Sequence, residues 1–274
     1  MNPVPDQLAT FLIPDWPAPA AVRAAFSTRM GGVSEGPYAS LNVGTHVGDV
    51  PERVQHNRAW TAQQLGCEPV FLQQVHGWEH VALQPDTPHD TVADVCSSTV
   101  PVTHGGRACC IMVADCLPLL LCNRQGTWVG AAHAGWRGLL GNVQGFGAIE
   151  ALELAARTQG ATDLIAWIGP CIGPQAFEVG AQVRTAFVQQ AQQCAAFQGI
   201  AAPVEVAFTP AASPDKWMGN LPLLARLRLQ ALGISQVYGN DGSPAWCTAS
   251  QPDRFFSHRR DGVSGRQAAF VWLI

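Results

Sequence analysis

The chain has no CxxC pair, no low-complexity or linker-like segment, little charge and no apolar run of the roughly 18 residues that a membrane span needs. Each absence removes a class of protein. Without CxxC spacing, zinc ribbons and thioredoxin-type redox motifs are excluded. Residues 1–19 carry neither the basic region nor the apolar core of a secretory signal, so a cytoplasmic protein is expected. Charged residues make up only 13% of the 274, and the formal net charge is -4. That balance argues against nucleic acid or an anionic membrane as a partner, and any anion must be bound locally.

What is present is apolar sequence, 47% of residues, in runs spread along the whole length. A single domain over residues 1–274 is the reading, and with no evident interface stripe a monomer is expected. Nine cysteines is an odd count, and Cys109, Cys110 and Cys122 lie inside apolar runs. Buried reduced thiols fit this pattern better than a disulfide framework.

Val22 to Ser27 reads as a strand, followed by a turn-rich loop through Gly31, Gly32, Gly36 and Pro37. Pro51 to Leu65 reads as a helix stopped by Gly66. Val70 to Val75 is predicted as a strand that delivers His76 at its end. Helices are predicted over 143–157, about 177–197 and 221–231, with short strands over 164–168, 236–238 and 268–274. Strands and helices intermix, with both hairpin and crossover connections. The class is mixed α/β, or α+β.

Three potential metal ligands stand in short Gly- and apolar-flanked segments: His76 in Gln-Gln-Val-His-Gly, Cys116 in Ala-Asp-Cys-Leu-Pro, and His133 in His-Ala-Gly-Trp-Arg-Gly. Two imidazoles and a thiolate fill three of the four positions a tetrahedral zinc prefers, leaving one for water or substrate. Residues 109–122 and 128–134 are apolar on either side of Asn123-Arg124-Gln125-Gly126, which reads as a β-hairpin. A hairpin centred between Arg124 and Gln125 sets Cys116 directly opposite His133, with Cβ atoms roughly 4.5–5.5 Å apart. Pro118, lacking an N–H, is expected to force an edge or a bulge.

The ordered motifs Ser27-Thr28-Arg29-Met30-Gly31-Gly32-Val33-Ser34, Gln74-Val75-His76-Gly77, Ala114-Asp115-Cys116 and His133-Ala134-Gly135-Trp136-Arg137-Gly138 resemble the laccase-domain family of purine nucleoside phosphorylases. Its members are also called multicopper polyphenol oxidase-like proteins or peptidoglycan editing factor. Ile168-Gly169-Pro170, Phe177-Glu178-Val179 and Phe255-Phe256-Ser257-His258-Arg259-Arg260-Asp261 extend the likeness over nearly the whole chain. The resemblance implies a single-domain α-β-β-α layered fold, zinc on His76, Cys116 and His133, and purine nucleosides and phosphate as small-molecule partners. It also implies phosphorolysis of adenosine, inosine and related nucleosides, together with adenosine deamination. The chain departs from the family at Asn220, where many relatives carry Asp, so no acid role is carried over to it.

Further candidates follow from residue chemistry. Arg29 beside a double glycine is read as a catalytic or substrate-binding group for phosphate or a substrate oxygen. Trp136 either stacks a purine or closes the core, Arg259 belongs to the densest basic stretch, and His46 is a second-tier binding candidate. Cys116 is read as catalytic through the metal. A His₂Cys set also suits copper, so copper-dependent oxidation of phenols is an alternative. Multicopper chemistry needs more histidines than the eight present, which form no His-X-His pair. Amide hydrolysis in editing of peptidoglycan precursors would use the same open zinc. A closed structural metal domain that binds a partner would need a fourth ligand, such as Cys247 or His258.

Overall fold

The computed structural model describes residues 10–194, 197 and 201–274. Its strands are β1 (Phe11–Leu12), β2 (Val22–Ser27), β3 (Pro69–Phe71), β4 (His80–Ala82), β5 (Val95–Ser98), β6 (Ala108–Val113), β7 (Leu117–Asn123), β8 (Val129–Ala134), β9 (Leu164–Ile168), β10 (Glu178–Gly180), β11 (Phe208–Pro210), β12 (Lys216–Gly219), β13 (Val237–Gly239) and β14 (Gln267–Leu273). Its helices are α1 (Pro51–Leu65), α2 (Trp136–Leu140), α3 (Ala148–Thr158), α4 (Ala181–Gln193), α5 (Ala201–Val206), α6 (Leu221–Ala231) and α7 (His258–Asp261). A five-stranded sheet runs in the order β1-β2-β14-β6-β3, and a six-stranded one in the order β13-β9-β7-β8-β5-β4. A small third sheet, β10-β12-β11, stands apart from both.

The period of two along the strands explains the layering. In β6, Cys109, Ile111 and Val113 face a core shared with Leu120, Cys122, Val129 and Ile165 of the six-stranded sheet. The alternate residues Ala108, Cys110 and Met112 face outward, where Leu65 of α1 packs. Leu117, Leu119 and Leu121 of β7 turn the other way, into a core with Leu152 of α3, Phe187 of α4 and Leu224 of α6. The order is therefore helix, sheet, sheet, helices, a mixed α/β architecture with the α-β-β-α layers that the family resemblance implies. Each fully buried Leu, Ile or Phe in these cores contributes roughly 1.5–3 kcal/mol. Among the described residues no helix is long and apolar enough to cross a membrane. Residues 1–9, part of the N-terminal stretch read for targeting features, lie outside the description.

Four elements keep their expected bounds: the strands 22–27 and 164–168 and the helices 51–65 and 221–231. Gly66 ends α1 in the left-handed conformation, at φ 65°. The apolar stretch 109–122 does not form one arm of a hairpin. It breaks at Ala114-Asp115-Cys116, and β6 and β7 lie in different sheets. Asp115 makes the break with φ 86°, and continuous hydrophobicity hid it because both strands are buried on both faces.

The hairpin between β7 and β8 forms, with a register two residues from the expected one. Pro118, not Cys116, pairs with His133. The loop is longer than a tight turn: Asn123 Oδ1 accepts from the backbone N–H groups of Thr127 and Trp128, moving the centre of symmetry toward β8. Cys116 falls just outside the strand. Pro118 makes neither an edge nor a bulge, since β7 is an inner strand. Gly169 N–H donates to Pro118 O at 3.0 Å. The return bond that Pro118 cannot make to Gly169 O is supplied by Asn240 Nδ2 at 3.1 Å.

Three other expectations shift. The strand toward His76 stops at Phe71. The helix expected over 143–157 begins at Ala148, where Glu150 accepts from Gly147 N–H at 2.9 Å; the short α2 precedes it. The helix expected from Phe177 begins at Ala181 because Glu178–Gly180 pairs with β12 instead. The far end of that expected helix includes residues outside those described.

Candidate metal centre

His76, Cys116 and His133 come together at the seam between the two large sheets. Their candidate ligand atoms all lie within 4.8 Å of one another. The His76 and His133 rings meet edge to face, 4.8 Å between centroids. Each donor arrives by a different device. His133 is carried by the inner strand β8 and is buried. Cys116 follows the left-handed Asp115 at the step between sheets. His76 sits in a turn and itself adopts φ 64°, a conformation uncommon for residues with a Cβ.

A residue that sequence reasoning passed over holds this turn. Asp94, fully buried, accepts from His133 Nδ1 at 2.7 Å through Oδ1. The same oxygen accepts from His76 N–H at 3.0 Å, and Oδ2 accepts from the N–H groups of Val75 and Gly77. One carboxylate thus fixes the His76 loop and presents the Nε2 side of His133 to the cluster. A carboxylate behind a ligating imidazole is the usual orienting partner in metal sites. A lone acid within the apolar segment Ala93-Asp94-Val95 was the available signal.

The electrostatics match the donors. Burial would raise the Cys116 thiol, but His133 and His76 outweigh it and bring it down to about 6. Burial would lower His133, but Cys116 and Asp94 raise it to about 9. Asp94 is lowered, the His133 hydrogen bond overcoming burial. Two imidazoles and a readily formed thiolate fit zinc, and they fit copper as well. Gly135 leaves the room they need: a Cβ there would lie 3.0 Å from Cys116 Sγ and 3.3 Å from His76 Cδ2.

No fourth His, Cys, Asp or Glu joins the group among the described residues. Cys247 Sγ instead accepts from Gly173 N–H and Ser250 Oγ. The cluster opens on a cleft of about 210 Å³ lined by His76, Cys116, Asp115, Trp136, Phe177, His258 and Arg259 among others. A larger groove of about 1020 Å³ lies between α1 and β3 and includes none of the three donors.

The remaining sequence candidates divide. Trp136 and Arg259 line the cleft. Arg137 lies over the Trp136 ring at 4.5 Å. Arg259 Nη1 donates to Ala176 O and Glu178 O, and its N–H donates to Asp115 Oδ2. Arg29 is not in the cleft lining. Its Nε donates to Ala39 O and its Nη1 to Pro252 O, and it stacks on Phe256 at 4.9 Å, fastening the segment that leads into α7. His46 is also outside the lining. Its pKa is lowered by burial and then by Arg266 and Arg58, with smaller effects from His133 and His76, which puts it in electrostatic reach of the cluster. Asn220 caps α6, accepting from Leu223 N–H at 3.0 Å, a role that Asn fills as well as Asp.

A family profile described as multi-copper polyphenol oxidoreductase laccase matches residues 23–274. Purine nucleoside phosphorylase PA4543 of Pseudomonas aeruginosa is 45% identical, covering 96% of this chain and 98% of the relative. Purine nucleoside phosphorylase YfiH of Escherichia coli is 41% identical, covering 97% and 100%. Among solved structures, protein NMB0706 of Neisseria meningitidis superposes with a TM-score of 0.79 at 40% identity, covering 96% of this chain and 99% of the other. YlmD of Geobacillus stearothermophilus gives 0.76 at 29% identity, covering 93% and 92%. On the profile match and these near full-length identities, the chain belongs to the multi-copper polyphenol oxidoreductase laccase family, the family that its ordered motifs resembled.

Proposed function

We propose that the protein is a zinc-dependent purine nucleoside phosphorylase acting on adenosine, inosine and related nucleosides, with adenosine deaminase activity. The observation that carries this reading is a three-donor cluster, without a fourth donor among the described residues, opening on a cleft with an aromatic wall. The names of the relatives support the substrate class.

In this reading His76, Cys116 and His133 hold zinc. Bound there, zinc would supply Lewis acidity. Asp94 keeps His133 in one tautomer and His76 in place, so the donors are preorganised. Trp136 and Phe177 supply the apolar wall of the cleft against which the purine lies, and packing there excludes water from the reacting bond. Arg259 keeps Nε and Nη2 free of hydrogen bonds among the described residues and can orient phosphate toward the ribose C1′. Arg29 acts at a distance, through the 252–256 segment that carries α7. His46 adds a polar group within electrostatic reach of the cluster.

The test is metal analysis of protein purified without added metal, coupled to chromatography of adenosine and inosine incubations with and without phosphate. Hypoxanthine from inosine only with phosphate is expected, as is inosine from adenosine. Inertness toward both nucleosides in the zinc-loaded protein would overturn the reading. Copper-dependent phenol oxidation has one observation in its favour, the His₂Cys donor set. Against it, the described residues contain a single group of three or more candidate donors.

A further inference from the structure

Among the ionisable side chains lining the cleft, His258 has neither a side-chain partner among the described residues nor a part in the proposed reaction. It lines the cleft beside His76 and Cys116 and is exposed. No hydrogen bond or ion pair engages its ring among the described residues. Its backbone, by contrast, is held on every side. Ser257 Oγ accepts from Arg260 N–H. The next residue's N–H is fixed on Asp115 Oδ2 at 2.6 Å. Arg260 reaches back to the carbonyls of Thr248, Ala249 and Phe255. A backbone pinned to Asp115 through Arg259 N–H thus presents a free imidazole to the cleft.

The other polar groups facing the cleft are held by neighbours or already have a part in the proposed reaction. Asp115 accepts from Thr248 Oγ1 through one oxygen and from Arg259 N–H through the other. Arg137 lies over Trp136, and Arg259 clamps the 176–178 loop. A guanidinium offers only hydrogen-bond donors and is not a proton-transfer group. His76 and Cys116 are candidate ligands. An imidazole is the side chain suited to giving and regaining a proton under these conditions.

We infer that His258 is the proton donor to the departing base, acting at purine N7. The inference rests on the phosphorylase reading. A phosphate oxygen bonds to C1′ as the C1′–N9 bond breaks, and the electron pair of that bond passes into the purine ring. His258 gives its ring proton to N7, so the base leaves neutral. It takes a proton back from the hydrogenphosphate, which becomes the ester dianion. Without this transfer the purine would depart as an anion, the costly alternative.

The test compares inosine with N7-methylinosine, whose base already carries the positive charge that protonation would supply. The probes are the zinc-loaded full chain, His258→Ala and His258→Gln, each with inorganic phosphate. Both variants are expected to lose about 100-fold or more in kcat on inosine, the usual worth of general acid catalysis. They should keep most of their rate on N7-methylinosine and their full metal content. Because His258 is exposed, neither change removes core packing, and the Gln variant guards against a local effect of truncation. Equal losses on both nucleosides, or no loss on inosine, would overturn the inference while leaving the phosphorylase reading intact. A wild-type protein inert toward both nucleosides would remove that reading and this inference together.

Discussion

Gly135, just past the end of β8, lies beside Cys116, just before β7, so close that a single added methyl group would lie 3.0 Å from the sulfur. Gly135→Ala is therefore expected to push Cys116 and His76 apart while leaving the sheets in place, since both neighbours are side chains. Zinc affinity should fall roughly 10- to 100-fold, the scale of other perturbations close to a metal site. Competition with a chromophoric chelator reads the loss, and an unchanged far-ultraviolet circular dichroism spectrum separates it from unfolding.

Asp94→Asn keeps the shape of the carboxylate and changes its hydrogen bonding. Its amide nitrogen would face either the His76 loop N–H groups or His133 Nδ1, leaving buried donors without an acceptor. Metal affinity should drop about 10- to 100-fold, and stability by about 1–3 kcal/mol. Urea denaturation of metal-free protein isolates the second effect. Equal stability of the two metal-free proteins would contradict the arrangement described.

Thiol labelling should single out the cleft. Cys67 and Cys122 are pushed up to about 12 by burial, and of the nine cysteines only Cys116 and Cys194 are not buried. Iodoacetamide on folded, metal-free protein should label those two first, as read by peptide mass spectrometry. Added zinc should protect Cys116 and leave Cys194 as reactive as before. Protection of neither would count against Cys116 as a ligand.

Asn240→Ala should cost about 1–3 kcal/mol because it leaves Gly169 O without a donor. The cost should shrink in a Pro118→Ala background, where the restored N–H of residue 118 can take over. A four-protein double-mutant cycle by denaturant unfolding measures the coupling. Additive effects would show that Asn240 does not stand in for the missing proline donor.

Arg228 is buried against Glu150, at 2.9 Å, and also reaches Gln190 and Gly145 O. Arg228→Ala strands the Glu150 carboxylate in the core behind α3. A loss of about 3–5 kcal/mol is expected, seen as a lower urea midpoint. Arg228→Met with Glu150→Gln should recover part of it.

The donor types were legible in the sequence, and so were the longer helices, because Pro51, Gly66 and the apolar spacing are local signals. The path of the chain between the donors was not. Apolar character runs on through Ala114 and Cys116, so nothing local reported that the strand ends and the chain changes sheets. The hairpin register failed for a related reason: Asn123 closes its loop through a side chain, which a count of residues does not register. Asp94 was missed because its partners, His133 and the 75–77 backbone, are distant in sequence. His258 could be named as a possible ligand, but only the fold distinguishes a free imidazole in the cleft from a fourth donor.

The step through Asp115 and Cys116 has a mechanical consequence. One donor rides on an inner strand of one sheet, one on the link between the sheets, and one on a loop leaving the edge strand of the other. An ion gripped by all three would rivet the two sheets at their seam. Its removal should then loosen how the sheets sit on each other before it loosens either sheet, and hydrogen exchange should quicken first at residues 74–77 and 114–116.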